Sequence, residues 1–122
     1  MKILVVDDSK AMRMIVRRAL REAGYHVDLV EAGSGAQALQ ELQSNAFDLI
    51  LCDWNMPEMT GIDLLGKLNE LGQKVRLGFV TSECSDDMRN RAKDSGALFF
   101  ITKPFTPETF RSELEPVIGS PN

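Results

Sequence analysis

Short apolar runs alternate along the chain with longer stretches in which apolar residues recur every three or four positions. Residues 2–6 (KILVV) predict a strand. Residues 9–23 predict a helix, with Ala11, Met14, Ile15, Ala19 and Leu20 near helical spacing and Gly24 as its stop. Residues 26–31 (HVDLVE) alternate like a strand nearer a sheet edge, and 35–44 place Ala36, Leu39 and Leu42 on one helical face. Residues 48–52 (DLILC) read as a buried strand, after which Thr60 caps a helix reaching about Leu71, with Ile62, Leu65 and Leu68 inward. Residues 75–81 (VRLGFVT) predict a strand, and 85–95 a polar helix capped by Ser85 and stopped by Gly96. Residues 98–102 (LFFIT) predict the last strand. Thr106 followed by Pro107 starts a final helix with Phe110, Leu114 and Val117 on one stripe. Pro116 falls inside that helix and is expected to end or kink it.

The pattern is a βα unit repeated five times, which implies an α/β domain with a doubly wound parallel sheet and helices on both faces. Continuous apolar strands such as LILC suit central positions buried on both sides. Right-handed crossovers leave few topologies, and the flavodoxin-like order 2-1-3-4-5 is one of two common solutions. A chain of 122 residues makes one domain, taken here as residues 1–122.

Composition narrows the function classes. Hydrophobic residues at 43% and charged residues at 26% fit a folded globular protein. A net charge of -4 speaks against nucleic acid as a partner. The opening MKILVV is too short for a signal-peptide core, and no later segment is long enough to span a membrane, so a cytoplasmic protein with no membrane partner is expected. The Met start and GSPN tail suit a complete chain. The two cysteines, Cys52 and Cys84, are expected as free thiols, and the single histidine, His26, as a surface residue at a strand end.

Ligands of doubly wound sheets bind outside the carboxyl ends of the strands, at the switch point between the first and third. There the chain supplies Asp7 and Asp8, Asp53, Thr81 with Ser82, and Thr102 with Lys103. Taken singly each has a bland meaning: a solvated acidic pair, a turn former, a strand residue, a lysine before a proline. It is their joint placement at four strand ends that points to a site. Two like charges 4 Å apart repel by roughly 4 kcal/mol at an effective dielectric near 20, and three exceed what one lysine offsets. Hard oxygen ligands without a nearby histidine or clustered cysteines point to Mg²⁺, an ion that commonly serves phosphoryl groups. A carboxylate in such a site is able to act as nucleophile toward phosphorus, with lysine and a hydroxyl holding phosphoryl oxygens. The stretch AGSGAQAL (32–39) is a weak match to a dinucleotide loop, because Ala38 replaces the last glycine and the motif follows the second strand. It reads better as a helix N-terminus with a flexible entry.

The segments VVDDS (5–9), CDWNMPEMTG (52–61), VTSE (80–83) and KPF (103–105) together resemble the receiver domain of bacterial two-component response regulators. The resemblance runs from Lys2 to about Ile118 and is most like the single-domain members that act in chemotaxis on the flagellar switch. It implies a phosphorylation-dependent signalling switch rather than an enzyme, one that catalyses only its own phosphorylation and dephosphorylation. Asp53 would be the phosphoacceptor. Asp8, Asp53 and the backbone carbonyl of Asn55 would bind Mg²⁺, with Asp7 acting mainly through a water on the ion. Lys103 would pair with the phosphoryl group, and Thr81 and Phe100 would be the switch residues. Asn55 and Glu83 would set the phosphate lifetime, and the Lys103–Pro104 bond would be cis. The implied partners are a sensor histidine kinase or histidine phosphotransfer domain, and an output protein such as the flagellar switch. Phe100 departs from the tyrosine usual in chemotaxis members, so one hydroxyl contact on the output surface is missing.

Trp54 and Met56 are expected beside the pocket, where a phosphoryl donor would cover them, with packing against a neighbouring loop the alternative for Trp54. The helix over 85–95 carries Met88 and Ala92 as its apolar anchors, so it is expected to shift on activation and to exchange amide protons faster than the central strands. Arg13, Arg17 and Arg21, with Lys10 and Arg18, form a basic helix face, read as solvated for the most part or as a dock for an acidic phosphotransfer surface. Three rival classes are weaker. A haloacid-type phosphohydrolase needs a second acid where Asn55 stands, and a flavin module would meet repulsion from Asp7 and Asp8. A non-phosphorylated interaction module would not need the full set of acids, Thr81 and Lys103.

Overall fold

The computed structural model describes residues 1–121 of the chain. The elements are β1 (Lys2–Val6), α1 (Lys10–Glu22), β2 (Asp28–Ala32), α2 (Gly35–Ser44), β3 (Leu49–Cys52), α3 (Gly61–Glu70), β4 (Leu77–Thr81), α4 (Asp86–Asp94), β5 (Phe100–Thr102) and α5 (Pro107–Ile118). The strands are parallel throughout and lie in the order β2-β1-β3-β4-β5, the topology read from the alternation. Alternate residues of β1 face opposite layers, as the strand pleat requires. Ile3 and Val5 join Leu49, Leu51, Val80 and Ile101 under α1 and α5, where Val16, Leu20, Phe110 and Leu114 close the layer. Leu4 and Val6 join Ile50, Cys52, Leu77 and Phe79 on the other face, covered by Ala38, Leu64, Leu65, Leu68 and Ala92.

Every helix starts on a hydroxyl. Ser9, Ser34, Thr60, Ser85 and Thr106 each accept a backbone N–H from the first turn, and such a cap is worth about 1 kcal/mol. At Thr60 the bond is reciprocated by Asp63, a full capping box. Gly24 and Gly96 follow their helices with φ of 99° and 97°, the left-handed stop expected of them.

The structure departs from the sequence pattern in places. Ala11, Met14 and Ile15 face outward, with Met14 and Ile15 at 59% and 49% exposure. Ala19 and Leu20 are buried as expected, and Val16 completes the inward stripe of α1, because Arg13 and Arg17 turn toward Glu31 on β2. On α2, Ala36 is exposed and Ala38 is the buried residue. Strands β2, β4 and β5 begin at Asp28, Leu77 and Phe100, each two residues later than the apolar pattern implied. Pro116 does not end α5, which continues to Ile118 and stops at Gly119, whose N–H donates to the Glu115 carbonyl. The proline sits in the last turn, so little helix remains beyond it to be disrupted.

One non-glycine residue, Glu58, has a positive φ of 68° in the loop after β3. A left-handed residue costs about 1–2 kcal/mol and glycine avoids that at an entropic cost of about 0.5–1 kcal/mol. Glu58→Gly is therefore expected to raise the urea midpoint slightly, by about 0.5 kcal/mol in stability. Gly78 is the opposite case, since a Cβ there would overlap the Phe99 ring. Gly78→Ala should cost about 1–3 kcal/mol as overpacking in the same urea titration. An unchanged midpoint for Gly78→Ala would mean that Phe99 is free to move aside.

Candidate functional site

The sheet delivers its polar residues to one rim. Val6 of β1 is in register with Cys52 of β3 and Ala32 of β2, so Asp7 and Asp53 emerge side by side. The Asp53 N–H donates to the Val6 carbonyl at 2.9 Å, extending the ladder one residue to hold the acid. Thr81 ends β4 in register with Thr102, and the Lys103 N–H donates to the Thr81 carbonyl at 2.8 Å. Gly61 lets α3 approach Asp53 closely, because a Cβ there would run into the Asp53 carbonyl and stand 2.7 Å from the Phe79 ring.

Carboxylate oxygens of Asp7, Asp8 and Asp53 all lie within 4.8 Å of one another. Lys103 Nζ lies 3.1 Å from Asp7 Oδ2 and 3.7 Å from Asp53 Oδ1. Asp7 Oδ1 accepts the Ser9 N–H at 2.9 Å. Asp7 and Asp53 are buried and Asp8 is exposed, so the cluster opens to solvent through Asp8. Burial pushes the Asp53 carboxyl above its ordinary value and Asp7 adds to this, against the opposing pull of Lys103. Burial and the neighbouring acids likewise push the Cys52 thiol far up, so it is inert as a nucleophile, while Cys84 is exposed.

This donor set fits a small divalent cation. The oxygens are hard, the excess negative charge raises the cost of ionising Asp53, and the exposed acid leaves an entry path. The Thr81 hydroxyl is fully buried near the Asp53 carboxyl, whose charged form it favours, yet it makes no close hydrogen bond among the described residues. A buried hydroxyl in that state costs free energy until a partner arrives.

Some of the remaining residues take unforeseen places, while His26 and the Lys103–Pro104 bond are as expected. Trp54 and Met56 are buried in the core layer rather than standing open beside the pocket. Trp54 packs on Phe79 at 5.0 Å between ring centroids and on Phe100 at 6.2 Å, and Arg91 lies over its ring at 5.6 Å. Phe100 is half-buried, with the Arg89 guanidinium 5.0 Å from its ring centroid. Arg89 also donates to Cys84 Sγ at 2.8 Å. Asn55 and Glu83 are exposed on the loops after β3 and β4, and His26 is exposed just before β2. The Lys103–Pro104 bond is cis.

The basic face of α1 is smaller than the spacing implied. Arg13 and Arg17 both bind Glu31, at 2.9 Å each, and Arg17 before Arg13 holds the Glu31 carboxyl below its ordinary range. Arg18 pairs with Glu22 at 3.0 Å. Sequence reasoning missed the role of Arg13, whose Nη1 donates to the Asp7 carbonyl at 2.6 Å. The available signal was an arginine pair one helical turn apart with an acid at the end of the neighbouring strand.

Comparison with known proteins agrees with this geometry. Residues 3–115 match the family described as the response regulator receiver domain. The chemotaxis protein CheY of Pseudomonas aeruginosa is 38% identical over 124 residues, covering 100% of this chain and 99% of that one. The chemotaxis protein CheY1 of Helicobacter pylori is 38% identical over 123 residues, 98% of each chain. Among solved structures, the chemotaxis protein CheY4 of Vibrio cholerae has a TM-score of 0.85 at 34% identity, covering 96% of this chain and 98% of that one. The chain belongs to the response regulator receiver domain family, the phosphorylation-responsive half of two-component signalling. No helix among the described residues is long and apolar enough to cross a membrane.

A carboxyl whose pKa is raised by folding favours the folded chain while it is protonated. Its contribution is fully present below its ordinary value of 3.8 and is lost as pH rises through the raised value. Ionised Asp53 therefore weakens the metal-free fold at neutral pH. In EDTA, Asp53→Asn should melt above the wild type at pH 7, and the difference should shrink as the pH falls toward 4. A lower melting temperature for the variant at pH 7 would mean that Lys103 outweighs burial and Asp7.

Proposed function

We propose that the chain is a single receiver spanning residues 1–122, in which Asp53 takes a phosphoryl group from a phosphohistidine donor. One observation carries this reading. Asp7, Asp8, Asp53, Lys103 and a partnerless buried Thr81 hydroxyl converge at the ends of four neighbouring strands. An Asp53 carboxylate oxygen attacks phosphorus, the phosphorus–nitrogen bond breaks, and the donor imidazole leaves with the electron pair. Asp7, Asp8, Asp53 and the Asn55 carbonyl would hold Mg²⁺, which would supply charge neutralisation for the phosphoryl oxygens. Lys103 moves its ammonium from the resting carboxylates to the new phosphoryl group. Thr81 donates its free hydroxyl to a phosphoryl oxygen, and Phe100 follows into the space that this movement opens. Asn55 and Glu83, exposed above the pocket, govern water access and so the lifetime of the acyl phosphate.

The output surface on this reading is α4, β5 and α5. The helix α4 has Ala92 as its buried residue, with Met88 partly buried beside it, which makes it the element easiest to displace. The likeness to relatives named as chemotaxis proteins supports a role in chemotaxis, with the flagellar switch as output partner and a cytoplasmic location. For the donor, the exposed pair Met14 and Ile15 continues over Met12 to Pro104 and Phe105 beside Lys103. That apolar groove, edged by Arg18 and Arg21, suits the helix of a histidine kinase or phosphotransfer domain better than a purely basic face does.

The deciding experiment is intact mass after incubation with acetyl phosphate, with and without Mg²⁺, on wild type and Asp53→Ala. The expected result is one phosphoryl group added to the wild type with Mg²⁺ and none to the variant. No addition to the wild type would make the chain an interaction module on a receiver fold. A second prediction concerns the donor. Ile15→Asp should slow transfer from a phosphohistidine protein by about tenfold or more, the loss of an apolar contact at an interface anchor, while leaving labelling by acetyl phosphate unchanged. Equal slowing with both donors would place the effect in the pocket instead.

A further inference from the structure

Asp7 is gripped at each of its polar groups. Its N–H donates to the Ala32 carbonyl at 3.1 Å, and its carboxylate accepts from the Ser9 N–H at 2.9 Å and Lys103 at 3.1 Å. Its carbonyl accepts from Arg13 Nη1 at 2.6 Å. That carbonyl belongs to the peptide joining Asp7 to Asp8. Because a peptide is planar, holding its oxygen also fixes the nitrogen and Cα of Asp8.

Arg13 is itself held. Its Nε donates to Glu31 Oε1 at 2.9 Å, and Arg17 Nη2 takes Glu31 Oε2 at 2.9 Å from the next turn of α1. Glu31 lies on β2 in register with Val5, within the rigid sheet. The Arg13 side chain is 16% exposed, far less than the 42% of Arg17, so Arg13 is the more buried member of the clamp. A guanidinium presents a rigid planar fork that holds a carboxylate and a carbonyl in fixed directions, whereas the donors of an ammonium rotate on a flexible stem.

We propose that Arg13 is a positioning residue for the acidic pocket: anchored by Glu31 and Arg17, it fixes the peptide between Asp7 and Asp8 and so sets the carboxylate geometry that receives a divalent cation. The proposal rests on the receiver reading of the pocket. It makes Glu31 and Arg17 outer supports, and groups in that position typically alter metal affinity by about 10–100-fold when lost.

The sign of the effect separates positioning from charge. Arg13 is a cation near three carboxylates, so simple electrostatics predicts that Arg13→Met binds Mg²⁺ more tightly. Positioning predicts weaker binding. The test is calorimetric titration with Mg²⁺ on the full chain, for wild type, Arg13→Met, Arg13→Lys, Arg17→Met and, as a control, Arg18→Met. Mg²⁺ affinity should fall about tenfold or more in Arg13→Met, less in Arg13→Lys and Arg17→Met, and stay unchanged in Arg18→Met. The Mg²⁺ concentration for half-maximal labelling by acetyl phosphate should rise in step, while the rate at saturating Mg²⁺ stays within about twofold of wild type. Should Arg13→Met fail to fold, Arg13→Lys and Arg17→Met carry the same test. Equal or tighter Mg²⁺ binding by folded Arg13 variants, beside a wild type that binds, overturns this proposal alone. A wild type that binds no Mg²⁺ overturns the receiver reading and this proposal together.

Discussion

Three carboxylates share one rim of this sheet with a single ammonium, Lys103, between two of them. Left to itself such a cluster would spread or protonate, and the raised Asp53 carboxyl shows the pressure toward protonation. A rigid frame is needed to hold it. The frame is the pair of central strands, β1 and β3, buried on both faces and locked in register up to Val6 and Cys52. Lys103 arrives from the far side of β4, positioned by its N–H bond to the Thr81 carbonyl. The strain of the acids is thus stored in the best-packed part of the molecule, where the scaffold withstands it.

Stored repulsion and an unpaired hydroxyl give the site two directions of response. A cation would relieve the first, and on the proposed reading a phosphoryl oxygen would satisfy Thr81. The element best placed to respond is α4, which has little apolar anchorage of its own. Two arginines hold it to the aromatic cluster instead, Arg89 over Phe100 and Arg91 over Trp54. Cation–π contacts at partly exposed sites are worth about 0.5–1 kcal/mol, so they bias the position of α4 without fixing it. Trp54 follows Asp53 in the chain and packs against Phe100 in the same cluster, which links the loop after Asp53 to Phe100 by direct packing.

The layout was largely legible from the sequence, for reasons that differ by element. The strands β1 and β3 are continuous apolar runs bounded by acids, and the hydroxyl caps and Gly stops mark the helices. Alternation and handedness narrowed the strand order to a few topologies that included the observed one, and the strand ends then identified the polar rim. What stayed hidden was rotation. Ala19 and Leu20 were read correctly as inward, but period alone does not choose between Ile15 and Val16 as their partner, since both lie at helical spacing from Ala19. For Trp54 the sequence left an open position and packing as alternatives, because a large aromatic in a loop gives no direction, and its burial depends on Phe79, Phe100 and Arg91 from three other elements. Pro116 was expected to end or kink α5, and the helix does not end there but runs two residues further, so little helix lies beyond the proline to be disrupted.

The rotation of α1 is where charge overrules apolar periodicity. Arg13 and Arg17 turn toward Glu31, and this choice carries Met14 and Ile15 out to solvent. Burying that pair instead would gain apolar burial of about 1.5–3 kcal/mol per side chain. It would also strip Glu31 of both guanidinium partners and release the Asp7 carbonyl. A half-buried carboxylate left unpaired costs a comparable amount, and the loosened peptide would blur the acidic pocket. The observed orientation therefore serves both sides of one helix. The arginines brace the carboxylates from within, and the displaced apolar pair forms an outer groove that leads to Lys103, Pro104 and Phe105. A donor helix lying in that groove would rest on the same helix that holds Asp7 and Asp8 in place. Docking and the geometry of the reacting site are in that way supported by one rigid element.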